Sequence, residues 1–256
     1  MDSPFPRARR RPPAWLRALG NDNLPLDVCI NGAGYHRAAE FKHDFFAATG
    51  LYDCDGERIV VKFGRRAPLF GLPMGWIGRL LTDHEARLYE RLHDLPGIPA
   101  FLGRVGRNGF AHAFVEGREL RRGDRVNDDF FPRLAALLDT LHARGVAYVD
   151  LEKRENILVA DDGRPGLIDF QISWHWPWRG AGLWPVRALL RLLQASDRYH
   201  LLKHWRRFRP DQLNGDQVRS AARVPVWIAG HRLLSRPFTL LRRRVLAWLG
   251  ARPRAV

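Results

Sequence analysis

Cysteine is scarce in this sequence, and long apolar runs are missing from it. The two cysteines, Cys29 and Cys54, are too few for a disulfide framework. No apolar run approaches the roughly 20 residues that a membrane-spanning helix needs, and no charged-then-apolar leader with a small-residue cleavage site opens the chain. We therefore expect a cytoplasmic protein in a reducing compartment, without a membrane span.

Acidic residues are missing from one end of the chain. Residues 217–256 hold nine arginines and no aspartate or glutamate, and residues 1–20 hold five arginines and one aspartate. These two segments carry most of the net charge of +15, so the body between them is nearly neutral. The basic ends therefore need an explanation separate from that of the body.

The sequence does contain a regular series of short apolar strands and amphipathic helices. With 256 residues, 46% of them hydrophobic, the chain can bury the core of one domain or of two small lobes. The patterns predict three strands over 24–30, 45–53 and 58–64, a helix over 84–95 capped by Thr82 or Asp83, a hairpin over 101–117, a helix over 130–144 and a hairpin over 156–170. This order predicts an α+β protein with a small antiparallel sheet followed by a helical lobe.

Charged residues stand beside these apolar runs in three short stretches. Asp150 and Asn156 lie in "HARGVAYVDLEKRENILV", Asp169 in "LIDFQ" and Lys62 in "VVKF". The three stretches resemble the catalytic loop, the metal-binding segment and the strand lysine of the protein-kinase-like superfamily, and Glu85 resembles the helix partner of that lysine. The gap of 13 residues from Asn156 to Asp169 is habitual in that family.

The resemblance implies a bilobal protein-kinase-like fold. Its N-lobe would contain a small antiparallel sheet plus one helix, and its C-lobe would be helical and shortened. The implied divisions are a basic N-terminal tail over 1–20, an N-lobe over 21–116, a C-lobe over 117–216 and a basic helical extension over 217–256.

The resemblance also implies ATP and Mg²⁺ as cofactors. Lys62, held in place by Glu85, would pair with the α and β phosphates. Asp169 and Asn156 would supply oxygen ligands to Mg²⁺. The other residues expected to bind the nucleotide are Gly32, Gly34 and Glu116.

Two catalytic roles fall on the stretch that resembles the catalytic loop. Asp150 would orient the acceptor hydroxyl and accept its proton, and Lys153 would contact the γ-phosphate. The stretch departs from the family because five residues, not four, separate Asp150 from Asn156. Gln171 also replaces the glycine that usually follows Asp-Phe, and Arg37 stands where a third glycine of a phosphate-covering loop would be.

The acceptor of the phosphate is less clearly indicated. Only 87 residues follow Asp169, and no Ala-Pro-Glu motif is among them, so the peptide-docking platform of protein kinases is not expected. The chain resembles bacterial kinases that phosphorylate Kdo or heptose sugars of the lipopolysaccharide core, and also RIO-like kinases. The first resemblance implies a non-peptide hydroxyl acceptor such as a glycolipid, and a peripheral position on the inner face of the cytoplasmic membrane.

Two alternatives stay open. A RIO-like or serine/threonine protein kinase would act near RNA, although nucleic acid is the less favoured partner. The other alternative is a catalytically silent scaffold, which would have the fold and bind nucleotide but would not transfer phosphate. The tail "RPFTLLRRRVLAWLGARPRAV" spaces apolar residues as in a basic amphipathic helix, which predicts either contact with an anionic membrane or packing on the C-lobe.

Overall fold

The computed structural model of the chain describes residues 13–176 and 184–222, which fold into two lobes. The first lobe is built on one antiparallel sheet of six strands in the order β1-β2-β3-β4-β6-β5. In chain order, these strands are β1 (Asp27–Ile30), β2 (Ala33–His43), β3 (Ala47–Cys54), β4 (Glu57–Gly64), β5 (Phe101–Val105) and β6 (Gly109–Ala113). The sheet curls, since the side chain of Asn31 beside β1 donates a hydrogen bond of 3.1 Å to the carbonyl of Leu102 in β5.

Residues 33–43 form a strand that the sequence pattern did not predict. Polar and small residues interrupt the stretch, and its glycines predict a phosphate-covering loop. In the structure, β2 pairs with β1 on one side and with β3 on the other. Two register shifts in the pairing with β3, between Arg37 and Ala39 and between Glu40 and Lys42, explain why the alternation of apolar residues is lost.

The single helix of this lobe, α1 (Gly75–Arg91), begins nine residues earlier than predicted. The prediction that Thr82 or Asp83 caps the helix is wrong, because both residues lie inside it. Thr82 instead donates a hydrogen bond of 2.7 Å from Oγ1 to the carbonyl of Gly78. Gly75 and Gly78 kept the first turns of α1 from being predicted, because glycine usually disfavours a helix interior.

The second lobe combines helices with short strand pairs. In chain order, its elements are β7 (Gly117–Glu119), α2 (Phe130–Ala143), β8 (Val146–Ala147), β9 (Ile157–Ala160), β10 (Pro165–Leu167), β11 (Trp174–His175), α3 (Trp184–Phe208) and α4 (Gly215–Ala222). Helix α2 and the β9–β10 hairpin agree with the sequence patterns. In the described ranges 13–176 and 184–222, no helix has the length and apolar character needed to cross a bilayer.

Two apolar clusters stabilise the lobes. One lies on the face of the sheet opposite Lys62, which carries Ile59 and Val61, and it includes Leu19, so part of the segment predicted as a basic tail is buried against the first lobe. The other fills the second lobe and extends upward to Leu88 and Tyr89 of α1. Helix α1 therefore packs on both lobes and fixes their edges beside one cleft. The predicted C-terminal helix lies among residues 223–256, outside the described residues.

Candidate active site

A buried lysine joins the two lobes at the cleft. Lys62 lies on β4, and its Nζ is 2.7 Å from a carboxylate oxygen of Glu85 on α1. The same Nζ donates a hydrogen bond of 2.8 Å to Oδ1 of Asp169, which follows β10 in the second lobe. The sequence reasoning placed all three residues in one site, and the structure brings them together.

The charges of this trio depend on one another. Burial alone would lower the pKa of Lys62, but Glu85 and Asp169 outweigh burial and raise that pKa. Burial raises the pKa of Glu85 against the opposing effect of Lys62. A cation shared by two carboxylates leaves a net negative site, which is suited to a divalent cation or a second cationic group.

Asp150, Lys153 and Asn156 form a second hydrogen-bonded group on the loop between β8 and β9. Oδ2 of Asp150 accepts hydrogen bonds from Nζ of Lys153 at 2.7 Å and from Nδ2 of Asn156 at 2.9 Å. Burial raises the pKa of Asp150, while these donors oppose the shift. The extra residue of this loop therefore does not separate Asp150 from Asn156.

Helix α3 holds this loop through a fully buried carboxylate. Asp197 accepts hydrogen bonds from the backbone N–H of Tyr148 at 2.8 Å and of Val149 at 2.7 Å, and a third polar contact of 3.1 Å joins it to Nε2 of His142. Val149 has φ of +69°, which is unfavourable for a β-branched residue. Asp197 stabilises this strained turn and so fixes the orientation of Asp150, the next residue along the loop.

A stack of aromatic rings positions Asp169 from behind. Phe170 packs edge-on against Tyr89 of α1 and Tyr148 of the loop, with ring centroids 5.2 and 5.1 Å apart. The ring of His112 of β6 stacks on the ring of Tyr89, with centroids 4.9 Å apart. The hydroxyl of Tyr89 also accepts a hydrogen bond of 3.1 Å from the backbone N–H of Asp169. The rings thus connect both lobes and hold Asp169 in place.

Lys42 of β2 reaches the same cleft. The register pairs Lys42 with Thr49 and Thr49 with Lys62, and directly opposed residues of antiparallel strands point to one face of a sheet. Burial raises the pKa of Asp169, but the charges of Lys62, Lys42 and Lys153 outweigh it and lower the pKa to about 2. The whole chain has only four lysines among its 42 basic residues, and three of them surround Asp169.

The turn between β2 and β3 lies beside Lys42 and contains no glycine. Asp44 accepts hydrogen bonds from the backbone N–H groups of Phe46 at 2.8 Å and Ala47 at 3.0 Å. Nζ of Lys42 lies 2.8 Å from the other carboxylate oxygen of Asp44. Two backbone donors of this turn are therefore already used by Asp44, and Asp44 also pairs with the ammonium group of Lys42.

The other three residues predicted to bind the nucleotide are Gly32, Gly34 and Glu116, and the two glycines lie far from Lys42, at the other end of β2. Asn31 and Gly32, both with positive φ, form the tight turn between β1 and β2. Gly34 stands eight residues before Lys42 on an extended strand, roughly 25 Å away, so the structure does not bring these glycines to Lys62. Glu116 lies on the connection between β6 and β7, where its side chain pairs with Arg58.

Comparison with known proteins gives matches among solved structures alone. No protein-family model matches, and no curated protein does. The chain is similar to the Rio2 kinase from Chaetomium thermophilum, with a TM-score of 0.53 and 15% identity over 73% of this chain and 63% of that one. The ADP/Mg²⁺-phosphoaspartate complex of the same kinase gives a TM-score of 0.52 and 15% identity, over 73% of this chain and 61% of that one.

The chain has a protein-kinase-like fold. The expected α+β, bilobal architecture is therefore confirmed, at an identity that shows the fold alone. The chain spans less than two thirds of the length of the Rio2 kinase structures it matches.

Sequence reasoning missed two residues of this candidate site. Lys42 went unnoticed because its strand was not predicted, although the scarcity of lysine in so basic a chain was a usable signal. Asp197 stands in a helix 47 residues after Asp150, and nothing in the local sequence links it to the loop that it supports.

The donors at the cleft fit Mg²⁺ bound together with a nucleotide. Asp169 offers carboxylate oxygens, and Asn156 donates its amide nitrogen to Asp150, which leaves its amide oxygen available. Across residues 13–176 and 184–222, no group of three or more His, Cys, Asp or Glu side chains could hold a metal ion. Phosphate oxygens and water would therefore supply the remaining ligands.

Proposed function

We propose that the protein is an ATP- and Mg²⁺-dependent phosphotransferase that moves the γ-phosphate to a hydroxyl acceptor. The observation that carries this proposal is the meeting of Lys62, Glu85 and Asp169 with the Asp150–Asn156 pair at one cleft. Phosphoryl transfer needs neutralised phosphates, a placed cation and an aimed hydroxyl, and little covalent work from the protein. The kinase-like fold supports the same reading.

Each side chain has a task in this mechanism. Lys62 binds the α and β phosphates, and Glu85 keeps its ammonium group from turning toward solvent. Asp169 and Asn156 would hold Mg²⁺, which neutralises charge on the phosphates when it is bound. Asp150 orients the acceptor hydroxyl and accepts its proton, because its carboxylate already lies within a hydrogen-bonded loop.

Lys42 and Lys153 are assigned to the outer phosphates. Both charges act on Asp169, and both side chains come from the borders of the cleft. In glycine-rich loops, backbone N–H groups bind the phosphates. Here the N–H groups of Phe46 and Ala47 already donate hydrogen bonds to Asp44. The ammonium group of Lys42 on β2 would supply positive charge to the phosphates in their place.

The favoured acceptor is a non-peptide hydroxyl, such as a sugar of a lipopolysaccharide core or another glycolipid. Only 14 residues separate Asp169 from α3, which leaves little chain for a peptide-docking segment. The arginine-rich ends would suit an anionic glycolipid at the inner face of a membrane. This choice rests on the sequence and on charge.

A second candidate is a RIO-like activity, favoured by the similarity to the Rio2 kinase. One of the Rio2 kinase structures contains ADP, Mg²⁺ and phosphoaspartate. The chain would then phosphorylate protein near RNA, or hydrolyse ATP through one of its own cleft aspartates. A scaffold that binds nucleotide without turnover is the third candidate.

Turnover and binding measurements on purified protein test the proposal. ATP consumption is followed with lipopolysaccharide, a generic protein substrate or RNA–protein particles, and Mg-ATP affinity is measured separately. We expect Asp169→Ala to lose Mg²⁺-dependent binding, and Asp150→Asn to keep binding while turnover falls by roughly two orders of magnitude or more. Binding without turnover in the unsubstituted protein would favour the scaffold, and a hydroxylamine-labile phosphoenzyme would favour the aspartyl route.

A further inference from the structure

Four large apolar side chains are exposed within residues 70–80, two on the connection from β4 to α1 and two on the first turns of α1. Phe70 is 83% exposed, Leu72 66%, Trp76 65% and Leu80 60%. Trp76 and Leu80 are four residues apart on α1 and so lie on one face of it. We call these four side chains the insert surface. Several large apolar side chains exposed within so short a stretch mark an interaction site more often than single residues scattered over a surface do.

Backbone geometry places Phe70 at the tip of the insert at an energetic cost. Leu69 and Leu72 exchange two backbone hydrogen bonds of 2.9 Å, which closes a two-residue turn of Phe70 and Gly71. Phe70 has φ of +49° there, in the left-handed region that favours glycine or asparagine. A bulky aromatic residue at such a position gains nothing for the core when it is this exposed, so the strain points to a function.

A buried arginine makes the insert rigid. Arg65 is 2% exposed and donates hydrogen bonds to the carbonyls of Trp15, Phe45 and Pro68, at 2.9, 2.9 and 3.1 Å. The ring of Trp15 also contacts that of Phe70, with centroids 5.5 Å apart. The insert is thus fixed to the N-terminal segment and to the β2–β3 turn, and its apolar side chains are presented from a preformed base.

Most charges near the insert surface in the sequence are positive, and Asp83, one turn after Leu80 on α1, is paired with Arg104. Residues 58–82 contain no aspartate or glutamate, and Arg66 and Arg79 in this stretch are exposed. Residues 1–12, which lead to Trp15, contain four arginines and one aspartate. An occupant with negative charge next to apolar material fits this arrangement. The chain's own C-terminal segment does not, because it is basic as well.

We propose that the insert surface binds an anionic lipid bilayer. Phe70, Leu72, Trp76 and Leu80 enter the boundary between headgroups and acyl chains, where tryptophan is favoured. Arg66 and Arg79 meet the lipid phosphates. This proposal stands apart from phosphate transfer, since it concerns a face of the first lobe and needs no nucleotide.

Vesicle flotation of the full chain tests the proposal. Vesicles of phosphatidylcholine alone are compared with vesicles that also contain phosphatidylglycerol. The double variant Phe70→Ser/Trp76→Ser is expected to reduce binding to anionic vesicles roughly tenfold or more, because two large side chains leave the bilayer. The matched control, Leu26→Ser/Trp184→Ser, removes side chains that are 58% and 79% exposed elsewhere and is expected to bind as the unsubstituted protein does.

A second variant tests the charges and leaves every apolar residue in place. Arg66→Gln/Arg79→Gln is expected to weaken binding to anionic vesicles and to reduce its dependence on salt. The proposal is overturned if the Phe70/Trp76 variant binds vesicles unchanged, if the control loses binding equally, or if neutral vesicles bind as tightly as anionic ones. Should the first variant fail to fold, unchanged vesicle binding by the arginine variant would overturn it.

Discussion

Lys42 gives the cleft a third ammonium group and leads to a prediction about nucleotide affinity. Lys42→Met is expected to weaken Mg-ATP binding roughly 10- to 100-fold, because a charge-assisted contact to phosphate is lost while the strand is kept. Lys203→Met is the matched control, since Lys203 pairs with Glu152 at 3.4 Å on the surface. Isothermal titration with Mg-ATP measures both variants, and equal affinities would remove Lys42 from the site.

His112 predicts a dependence of folding stability on pH. Burial lowers the pKa of His112 to about 4 from 6.5, so the unfolded chain takes up a proton before the folded chain does. The stabilising difference is complete above about pH 6.5 and is lost as pH falls toward 4, by about 3 kcal/mol in total. His112→Gln should lack this loss.

Urea denaturation at pH 7 and pH 4.5 measures that difference. The unsubstituted protein should lose more stability between the two pH values than His112→Gln does. Carboxylates titrate in both proteins, so they cancel when the two changes are subtracted. Equal losses in both would mean that His112 carries no buried, neutral ring.

At the scale of elements, α1 depends on close contact between two backbones. A Cβ on Gly78 would overlap the backbone of Arg65, and a Cβ on Gly64 would overlap Thr82 and the carbonyl of Gly78. Gly78→Ala should therefore push the start of α1 outward and weaken the contact between Glu85 and Lys62. We expect a loss of roughly 1–3 kcal/mol in the free energy of unfolding, together with lower affinity for Mg-ATP.

Gly75→Ala is the control for that prediction on the same helix. A Cβ there meets only the carbonyl oxygen of Arg66, at 4.0 Å, so alanine should be tolerated or slightly stabilising. Thermal unfolding and nucleotide titration of the two variants give the comparison. If both alanines behave alike, helix propensity and not backbone contact sets the cost.

The elements also show what the sequence could and could not predict. The strand that carries Lys62 and the hairpin that leads to Asp169 have regular apolar patterns, so their positions followed from the sequence. Helix α1 was shortened in the prediction because Gly75 and Gly78 lower the local helix propensity, and the backbone contact that requires Gly78 is not contained in any local pattern. The strand of Lys42 was missed for a similar reason, since register shifts break its alternation.

At the scale of the whole molecule, the predicted basic helix near the C-terminus remains a prediction. Deleting residues 237–256 should weaken binding to anionic vesicles in a salt-dependent manner and leave Mg-ATP affinity unchanged. Combined with Phe70→Ser/Trp76→Ser, the deletion should reduce binding further, because two separate surfaces would meet the bilayer. Vesicle binding that survives the deletion intact, or a shortened chain that fails to fold, would assign this tail to the core.

Arginine supplies nearly all of the positive charge, and this has a consequence for chemical labelling. Reagents that acylate primary amines do not modify guanidinium groups at neutral pH. Apart from the terminal amine, the chain offers four targets, three of them around Asp169 and the fourth, Lys203, on the outside. A general amine reagent therefore serves as a footprinting probe of the cleft, with Lys203 as an internal reference. The arginines that supply most of the charge of +15 do not react and so do not add to the labelling.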